Sequence, residues 1–550
     1  MAENQPGPLE RGSPRRSRGG AVVSAVHPAP AAARSTGSSR LLKAAPLLLG
    51  LIFAFSALRS LAGGNIIDPD AARHALNGAF IRDLVAGGEL TNPIAFGKRY
   101  YSHYPALSLP YHPPLFPAIE ASFYAVGGVN LAAARTAVAL SAGLSAALLY
   151  GLILSRYGSH PLAFVSTFVF MSWRWSQYVA NDVMLEFPAL VLVLASLYFI
   201  REPVDGPQLY IFAALAGAAV WTKQNALFLG LVPFAYVFFR GDWQALRRKT
   251  IWLAAALFGA AAAALASLAA LFGWTGLAQA DSGRSIASIL LENPVYYTQA
   301  LALDAGAAVT ALMLAAVMAA AVRALRGRRE DALFLAWAFS AAAFLLSLGM
   351  LDQRYLIFAA PPLIVIFFRS LHAVCARFTG HFRAWLPAGA LAAIFSVVQL
   401  SQPAPFLSGP AEAAEAVLAG GPARIIYCGG TTGQFTFAAR ERDVKRQSVV
   451  IRGDRLPAGM FDAAAFENFA HRYGARYVVL EKTRRQRDWD VLAANPAPSM
   501  VLERVIPLRA SDPLWRGFLA VYRFTNPSPM PDDTIKLRLS KVSGDWEATF

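Results

Sequence analysis

Charged residues are scarce in this sequence of 550 residues: Asp, Glu, Lys and Arg make up 15% of it, whereas 56% of the residues are hydrophobic. A soluble chain of this length needs about a quarter of its residues charged to cover its surface. The mean hydropathy of +0.42 therefore indicates a surface that meets lipid. The same composition excludes a disordered chain, a collagen and a coiled coil.

Cysteine is also rare, because Cys375 and Cys428 are the only two. Two cysteines cannot form a disulfide framework, and no Cys/His cluster has the spacing of zinc ligands. The sequence contains no G-x-G-x-x-G fingerprint of a dinucleotide site. We therefore expect neither structural zinc, nor redox chemistry, nor a Rossmann-type nucleotide-binding domain.

Apolar runs of membrane-spanning length occupy residues 41–402, after a basic tail at 1–40 that its Pro, Gly, Ser and Ala content predicts to be disordered. The first run, 41–62, predicts a retained signal anchor. Other runs of about 20 residues lie at 130–155, 161–180, 183–200, 208–222, 224–239, 250–273, 301–322, 332–350, 355–371 and 384–401. The segment 113–126 is shorter and contains Glu120, so we expect an interfacial helix there and about eleven transmembrane helices.

The net charge of +16 follows the predicted topology. With the N-terminal tail in the cytoplasm, the basic residues concentrate in the tail and in cytoplasmic loops such as 240–249 and 323–331, while the opposite loops are close to neutral. This scatter among short loops argues against nucleic-acid binding. The distribution predicts a multi-pass protein of a bacterial-type inner (plasma) membrane, with its N-terminus in the cytoplasm.

Residues 403–550 differ in character and predict a soluble α/β or α+β domain on the extracytoplasmic side. Strand patterns lie at 424–430, 476–482 and 518–524, and helix patterns at 411–419 and 463–473. An odd number of spans places this domain opposite the N-terminal tail. Cys375 and Cys428 then lie on opposite sides of the membrane and cannot pair.

The first outer loop, 63–130, is long enough to carry function. The segment DAARHALNGAFIRDLV has an apolar stripe and predicts a helix along the membrane surface. Asp68 and Asp70 precede or begin this helix. Two carboxylates there either cap the helix or act as a general base or metal ligand.

Further charged residues fall at outer span ends. Asp182 and Glu186 are spaced i, i+4, so they share one face, and Glu186 precedes an unbroken apolar run. Lys223 follows another span, and Arg354 and Tyr355 enter a later one after Asp352. Acids and cations converging on one side predict an anion site, such as one for phosphate, beside carboxylate bases. A structural acid and snorkelling cations are the alternatives.

Three of the eight histidines, including His103 and His112, fall in the first outer loop among tyrosines. They could bind a metal ion or a sugar, but their spacing matches no ligand motif. The tyrosines either stack on sugar rings or form an interfacial belt.

These motifs resemble those of the GT-C fold membrane glycosyltransferases that use polyprenyl-phosphate donors, the group containing dolichyl-phosphate-mannose protein mannosyltransferases and aminoarabinose transferases. The resemblance covers residues 41–372. A D-E-A-x-Y-A type motif corresponds to D-A-A-R-H-A from Asp70, and (K/H)-P-P-L-(F/Y) to H-P-P-L-F from His112. L-x-D-x-P-L, T-K-G and R-Y correspond to segments at Glu186, Lys223 and Arg354. Ala71 replaces the usual second acid, and Glu186 replaces Asp.

The resemblance implies transfer of a sugar from a polyprenyl-phosphate donor to an envelope acceptor: lipopolysaccharide or lipid A, another glycan, or a protein. It implies that Asp70 is the base, with Asp68 and Glu186 as further catalytic candidates. Arg354 and Lys223 would hold the leaving phosphate. The other substrate-binding candidates are Tyr355, His112, Asp182 and His103. A divalent cation is a conceivable cofactor.

A multi-span transporter or lipid flippase is the alternative, because it would share the spans and the charge distribution. Such proteins concentrate polar groups near the bilayer midplane in broken helices. Here the candidates lie at outer span ends and in one loop, which favours an interfacial enzyme. A non-catalytic receptor subunit is a second alternative, against which the combination of Asp70, Glu186 and Arg354 argues.

Overall fold

The structure is a computed structural model that describes residues 40–58, 66–109, 111–202, 206–271, 284–485, 487–525, 527, 537–538 and 547–548. The N-terminal tail lies outside these residues, as does most of the chain after 525. Cys375 and Cys428 are free thiols.

Helices make up the described chain as far as residue 400. They are α1 (Arg40–Leu58), α2 (Pro69–Ala86), α3 (Pro93–His103), α4 (Leu115–Gly127), α5 (Leu131–Tyr157), α6 (His160–Ser172), α7 (Arg174–Ala180), α8 (Glu186–Leu197), α9 (Gln208–Thr222), α10 (Val232–Arg240), α11 (Lys249–Leu271), α12 (Ile286–Ala305), α13 (Ala307–Leu325), α14 (Ala332–Ser347), α15 (Ala360–Thr379) and α16 (Trp385–Leu400). Short 3-10 helices lie at Glu89–Thr91, Gln224–Leu231, Trp243–Arg247 and Gln353–Phe358.

Every predicted span coincides with at least one apolar helix. In the described residues, α5, α11, α13 and α15 are long and apolar enough to cross a membrane, and most of the others are shorter apolar helices. Two spans are interrupted: 161–180 breaks at Trp173 between α6 and α7, and 224–239 begins as a 3-10 helix. The polytopic helical fold is confirmed, while the number of spans stays a prediction.

The C-terminal part contains a mixed sheet. Its elements are β1 (Leu407–Ser408), α17 (Pro410–Leu418), β2 (Arg424–Cys428), α18 (Thr432–Arg442), β3 (Val449–Arg452), α19 (Ala463–Arg472), β4 (Tyr477–Thr483), α20 (Asp490–Ala494), β5 (Met500–Ala510) and β6 (Gly517–Phe524), with 3-10 turns at Gly453–Arg455, Ala458–Phe461 and Pro513–Trp515. A separate pair is β7 (Leu537–Arg538) and β8 (Glu547–Ala548).

The sheet order is β1-β5-β6-β4-β2-β3. Strands β2, β3 and β4 run parallel, and the others pair antiparallel. Strand β2 is buried on both faces, since Ile425 packs in a cluster with α17 and α18 and Ile426 in a second cluster with α19 and α20. This explains its continuous apolar run. The predicted strands and helices of this domain are confirmed.

Helix α2 forms where it was predicted, and protein packs around much of it. Other parts of the protein cover its polar face as well as its apolar stripe. This is shown by the buried polar side chains His74, Asn77 and Asp83. Helix α4 packs on one side, where the Tyr124 hydroxyl donates to the carbonyl of Ala75. Helix α18 of the C-terminal domain packs on another side. That α2 lies along the membrane surface stays a prediction, while this domain contributes polar partners that the sequence of α2 does not reveal.

Candidate active site

Asp68 caps the N-terminus of α2. Its side chain accepts a hydrogen bond from the backbone N–H of Asp70 at 2.8 Å, and Pro69 begins the helix. Its other carboxylate oxygen accepts from the hydroxyl of Tyr178 at 2.9 Å and lies 3.3 Å from Nη1 of Arg354. Asp68 therefore serves as a cap and also belongs to a charged cluster.

Asp182 fixes the backbone that leads into α2. Its Oδ2 accepts from the backbone N–H groups of Ile67 at 3.0 Å and Asp68 at 2.8 Å, and its Oδ1 accepts from the N–H of Val183. The side chain is fully buried. Burial raises the pKa of Asp182 to about 6, although Arg135 and the backbone donors oppose this. Both of its oxygens are engaged by the backbone, so Asp182 holds the loop in place.

Arg354 connects the carboxylates of three chain segments. Its Nη2 lies 2.7 Å from Oδ2 of Asp70, and its Nε lies 2.6 Å from Oδ2 of Asp352 and 3.9 Å from Oε1 of Glu186. Only 12% of its side chain is exposed. Asp352 also caps the 3-10 helix Gln353–Phe358 by accepting from the N–H of Arg354. The guanidinium is thus held in place by carboxylates from distant parts of the chain.

The two carboxyls at the start of α2 differ in acidity. Burial raises the pKa of Asp68 above its ordinary value, and Arg354 offsets this only in part. Burial also disfavours ionised Asp70, but His112 and Arg354 outweigh it, so the pKa of Asp70 lies well below its ordinary value. The direct contact with the guanidinium explains this direction. Asp70 is therefore ionised at neutral pH.

Glu186 and Lys223 form a buried pair on the other side of Arg354. Nζ of Lys223 lies 3.0 Å from Oε1 of Glu186, whose side chain is fully buried. Nζ of Lys223 and the guanidinium carbon of Arg354 each lie 5.8 Å from the ring centroid of Tyr355. Two cations therefore converge on one tyrosine ring. Apart from its ion pairs with Lys223 and Arg354, the carboxylate of Glu186 has no hydrogen-bond partner among the described residues.

His112 lies beside this cluster, next to His74 and one residue after Tyr111, which Gln224 contacts. Its ring packs edge-on against His74 with 4.4 Å between centroids, and Gln224, next to Lys223, donates from its side chain to the carbonyl of Tyr111. Burial lowers the pKa of His112 to about 3 and places that of His74 well below its ordinary value. Both imidazoles are therefore neutral at neutral pH. His112 Nε2 and His74 Nδ1 are buried without a hydrogen-bond partner in the described part of the chain.

The structure thus brings together eight of the nine candidate residues and leaves one apart. His103 lies at the end of α3, where its Nδ1 is 3.0 Å from the carbonyl oxygen of Ser448 in the C-terminal domain. Sequence reasoning missed Tyr178 as a partner of Asp68. The one available signal was its place in the same outer turn, four residues before Asp182.

The described residues do not form an evident metal site. Within them, no group of three or more His, Cys, Asp or Glu side chains is arranged to hold a metal ion. Asp68 and Asp70 are paired with Arg354, and Glu186 is paired with Lys223. This set of paired acids does not fit a resident divalent cation.

The arrangement suits a reaction that involves an anion and a proton. Arg354 and Lys223 supply two adjacent positive charges in a partly desolvated site, which is the usual environment for binding a phosphate. An ionised carboxylate, Asp70, lies beside them and can accept a proton. An anionic leaving group and a hydroxyl nucleophile would both find partners here.

Comparisons with known proteins agree with this chemistry. Residues 111–268 match the family model of dolichyl-phosphate-mannose-protein mannosyltransferases. This segment includes His112, Asp182, Glu186 and Lys223. No curated protein sequence matches the chain.

Two solved structures share the fold over most of the chain. ArnT from Cupriavidus metallidurans bound to undecaprenyl phosphate is 16% identical, with 87% of this chain and 97% of that chain covered and a TM-score of 0.54. The apo state of the same protein gives 16% identity, 87% and 98% coverage and a TM-score of 0.53. The resemblance of the sequence motifs to GT-C enzymes is confirmed. The family match and the shared fold together identify the chain as a membrane-embedded glycosyltransferase with the GT-C fold.

Proposed function

We propose that the protein transfers a sugar from a polyprenyl-phosphate donor to a cell-envelope acceptor at the outer face of the inner membrane. The observation that carries the proposal is the contact of one guanidinium, Arg354, with Asp68 and Asp70, beside a second cation, Lys223. The ArnT structure contains undecaprenyl phosphate, which supports a lipid phosphate as the donor carrier.

The proposed reaction is a single displacement. The hydroxyl oxygen of the acceptor attacks the anomeric carbon of the sugar, the bond from that carbon to the phosphate oxygen breaks, and the electron pair leaves with the lipid phosphate. Asp70 takes the proton of the attacking hydroxyl. Arg354 and Lys223 stabilise the charge on the departing phosphate. Inversion at the anomeric carbon follows from one displacement.

The ion pair between Asp70 and Arg354 explains how the base could be activated. With Arg354 in contact, the pKa of Asp70 lies well below its ordinary value, which makes the carboxylate a weak base. A donor phosphate competes for the same guanidinium. As Arg354 turns toward the phosphate, the pKa of Asp70 rises and its carboxylate becomes a better proton acceptor. The base would then be strongest when the donor is bound.

The remaining candidates receive different roles. Glu186 holds Lys223 in place, and Tyr355 orients both cations. His112 is neutral with a free ring nitrogen, so it can hydrogen-bond a sugar or phosphate oxygen. Asp182 acts through the backbone of the loop at Asp68. For His103, contact with substrate stays a prediction.

The orientation in the membrane is part of the proposal. The first loop, assigned to the outer side by the charge distribution, contacts the C-terminal domain, as in the 2.8 Å hydrogen bond from the Tyr104 hydroxyl to Asp443. Both therefore lie on one side of the membrane, which agrees with an extracytoplasmic site. The acceptor is lipopolysaccharide or lipid A, another glycan, or a protein.

Purified protein in nanodiscs tests the function directly. It is incubated with radiolabelled undecaprenyl-phosphate sugars and with lipid, glycan and protein fractions of the envelope. We expect label to move to one acceptor fraction with release of undecaprenyl phosphate. Failure of transfer across the whole panel, together with unchanged envelope glycans in a deletion strain, would contradict the proposal.

A further inference from the structure

Helix α18 of the C-terminal domain touches α2 at the turn that carries the two carboxyls. Nε2 of Gln434 donates to the carbonyl of Ile67 at 3.3 Å. Gly433 faces the first turn of α2, where a Cβ built on it would lie 3.3 Å from Cβ of Ala72 and 3.6 Å from the carbonyl oxygen of Pro69. The two helices approach this closely because residue 433 has no side chain.

The backbone before Asp68 is consequently held from two sides. Asp182, in the membrane part, accepts from the N–H of Ile67, and Gln434, in the C-terminal domain, donates to the carbonyl of the same residue. Gln434 is only 4% exposed. Ile67 is half-buried, and because both its N–H and its C=O are hydrogen-bonded it has little freedom to shift.

A buried ion pair fixes the other end of α2 to the same helix. Nη2 of Arg440 lies 2.6 Å from Oδ2 of Asp83, and Nε of Arg440 donates to the same oxygen at 3.0 Å. The exposed fractions of the two side chains are 2% and 0%. The hydroxyl of Tyr100 also donates to Asp83. A charge-assisted contact of this kind is directional, so it fixes the position of α2 relative to α18.

We propose that α18 is a positioning element of the active site, with Gly433 and Gln434 as its positioning residues. They hold the first turn of α2 so that Asp68 and Asp70 meet Arg354, which comes from a separate part of the chain. This inference rests on the proposed function and gives the C-terminal domain a part in catalysis. A displacement of about 1 Å in an active site can lower the rate about 100-fold.

Substitution of Gly433 tests the idea without altering any charge. Gly433→Ala adds a methyl group at 3.3 Å from Ala72, so α2 must move by a few tenths of an ångström, and Gly433→Val requires a larger shift. We expect kcat to fall about 3- to 10-fold for alanine and about 100-fold for valine. KM for the donor should not rise by more than about twofold, because Arg354 and Lys223 are untouched.

The pH profile separates positioning from a general loss of structure. Moving Asp70 away from Arg354 weakens one of the influences that, after His112, lower its pKa in the free enzyme, so the acid limb of the kcat/KM profile should move to higher pH in both variants. Gly459 is the matched control, since a Cβ there meets nothing within 4 Å, and Gly459→Ala and Gly459→Val should match the wild type. Gln434→Met removes the hydrogen bond to Ile67 and should shift the profile in the same direction.

Each outcome is decided on folded protein, judged by size-exclusion and thermal unfolding in nanodiscs. If Gly433→Val does not fold, Gly433→Ala and Gln434→Met provide the result. Wild-type kcat in these variants, or a lower kcat with an unshifted profile, would overturn the inference while the proposed function stands. Absence of transfer by the wild-type protein would instead contradict the proposed function, and this inference with it.

Discussion

Nη2 of Arg354 lies 2.7 Å from Oδ2 of Asp70, so the cation proposed to bind the donor phosphate is paired with the carboxylate proposed as the base. One contact thereby controls two properties, the availability of the guanidinium and the basicity of the carboxylate. Binding of the donor and activation of the base are coupled through this pair.

Asp70→Asn should lower kcat at least 100-fold, because an amide cannot accept the proton of the attacking hydroxyl. The side chain keeps its shape, so expression and membrane insertion should be unchanged. The measurement is initial-rate transfer of radiolabelled sugar in nanodiscs. Full activity of Asp70→Asn would move the base to Asp68 or Glu186.

A matched control for this change is Glu89→Gln. Glu89 lies in the same outer loop and its Oε1 is 3.1 Å from Nη2 of Arg99, but the pair is exposed and distant in sequence from Asp70. Exposed ion pairs contribute about 0–1 kcal/mol to stability. Transfer by Glu89→Gln should therefore equal that of the wild type.

Arg354→Lys tests whether the planar guanidinium, with its several N–H donors, is needed or whether a positive charge is sufficient. A lysine has one ammonium group and cannot reach Asp68, Asp70 and a phosphate together. We expect Arg354→Lys to lower kcat about 10- to 100-fold and Arg354→Met to lower it about 1,000-fold, in proportion to the charge stabilisation lost. Steady-state kinetics with the lipid donor provide the measurement. Equal activity of the lysine variant and the wild type would show that a point charge suffices.

His112 and Asp182 should have opposite effects on how the stability of the fold changes with pH. His112 has a pKa of about 3 in the folded protein and an ordinary value of 6.5. Between these values only the unfolded chain binds the proton, so acidification destabilises the fold by up to about 1.4 kcal/mol per pH unit. Asp182, raised from 3.8 to about 6, binds its proton in the folded state and stabilises it on acidification.

His112→Gln removes the first of these effects. Relative to the wild type, its free energy of unfolding should rise on going from pH 6 to pH 4, because the variant has lost the imidazole that takes up a proton only in the unfolded chain. Asp182→Asn should show the reverse, a steeper loss of stability over the same range. Thermal unfolding in nanodiscs at several pH values measures both differences. Parallel curves for His112→Gln and the wild type would contradict the buried, neutral state of this histidine.

Lys223→Met should destabilise the protein by about 3–5 kcal/mol, because it leaves the buried carboxylate of Glu186 without its cation. Adding Glu186→Gln removes the unpaired charge and should restore most of the stability. Transfer should stay low in the double variant, since the phosphate has still lost one cation. Chemical unfolding and transfer rates are measured on the same samples. Recovery of activity together with stability would show that Lys223 serves only the fold.

Most of the membrane part could be predicted because an apolar run of about 20 residues signals a span without reference to its neighbours. The convergence of Glu186, Lys223 and Arg354 could be predicted because all three lie at span ends on the same predicted side of the membrane. The role of Tyr178 could not be predicted, because its hydrogen bond to Asp68 depends on how distant parts of the chain pack together.

Helix α18 shows why the coupling to the C-terminal domain could not be predicted. Its sequence, TGQFTFAARER, has no apolar stripe, and yet Gln434, Thr436 and Arg440 are buried. Gln434 donates to Ile67, just before α2, and Arg440 donates to Asp83 on α2 and to Tyr100 on α3, all more than 300 residues earlier in the chain. The polar residues of α18 suggest a solvent-exposed helix in the sequence. In the structure they are buried, because polar groups of the membrane part pair with them. Local patterns carry no information about such pairs.

The orientation of the chain can be tested with single cysteines in a variant that carries Cys375→Ser and Cys428→Ala. Trp243, in the loop 240–249, has 57% of its surface exposed, and Leu90, in the first loop, has 61% exposed. The predicted topology places the first in the cytoplasm and the second outside. A membrane-impermeant maleimide applied to intact spheroplasts should therefore label Leu90→Cys and leave Trp243→Cys unlabelled until the cells are opened. Labelling of Trp243→Cys in intact cells would invert the topology and place the carboxylates, Arg354 and Lys223 on the cytoplasmic side, where an envelope acceptor could not reach them.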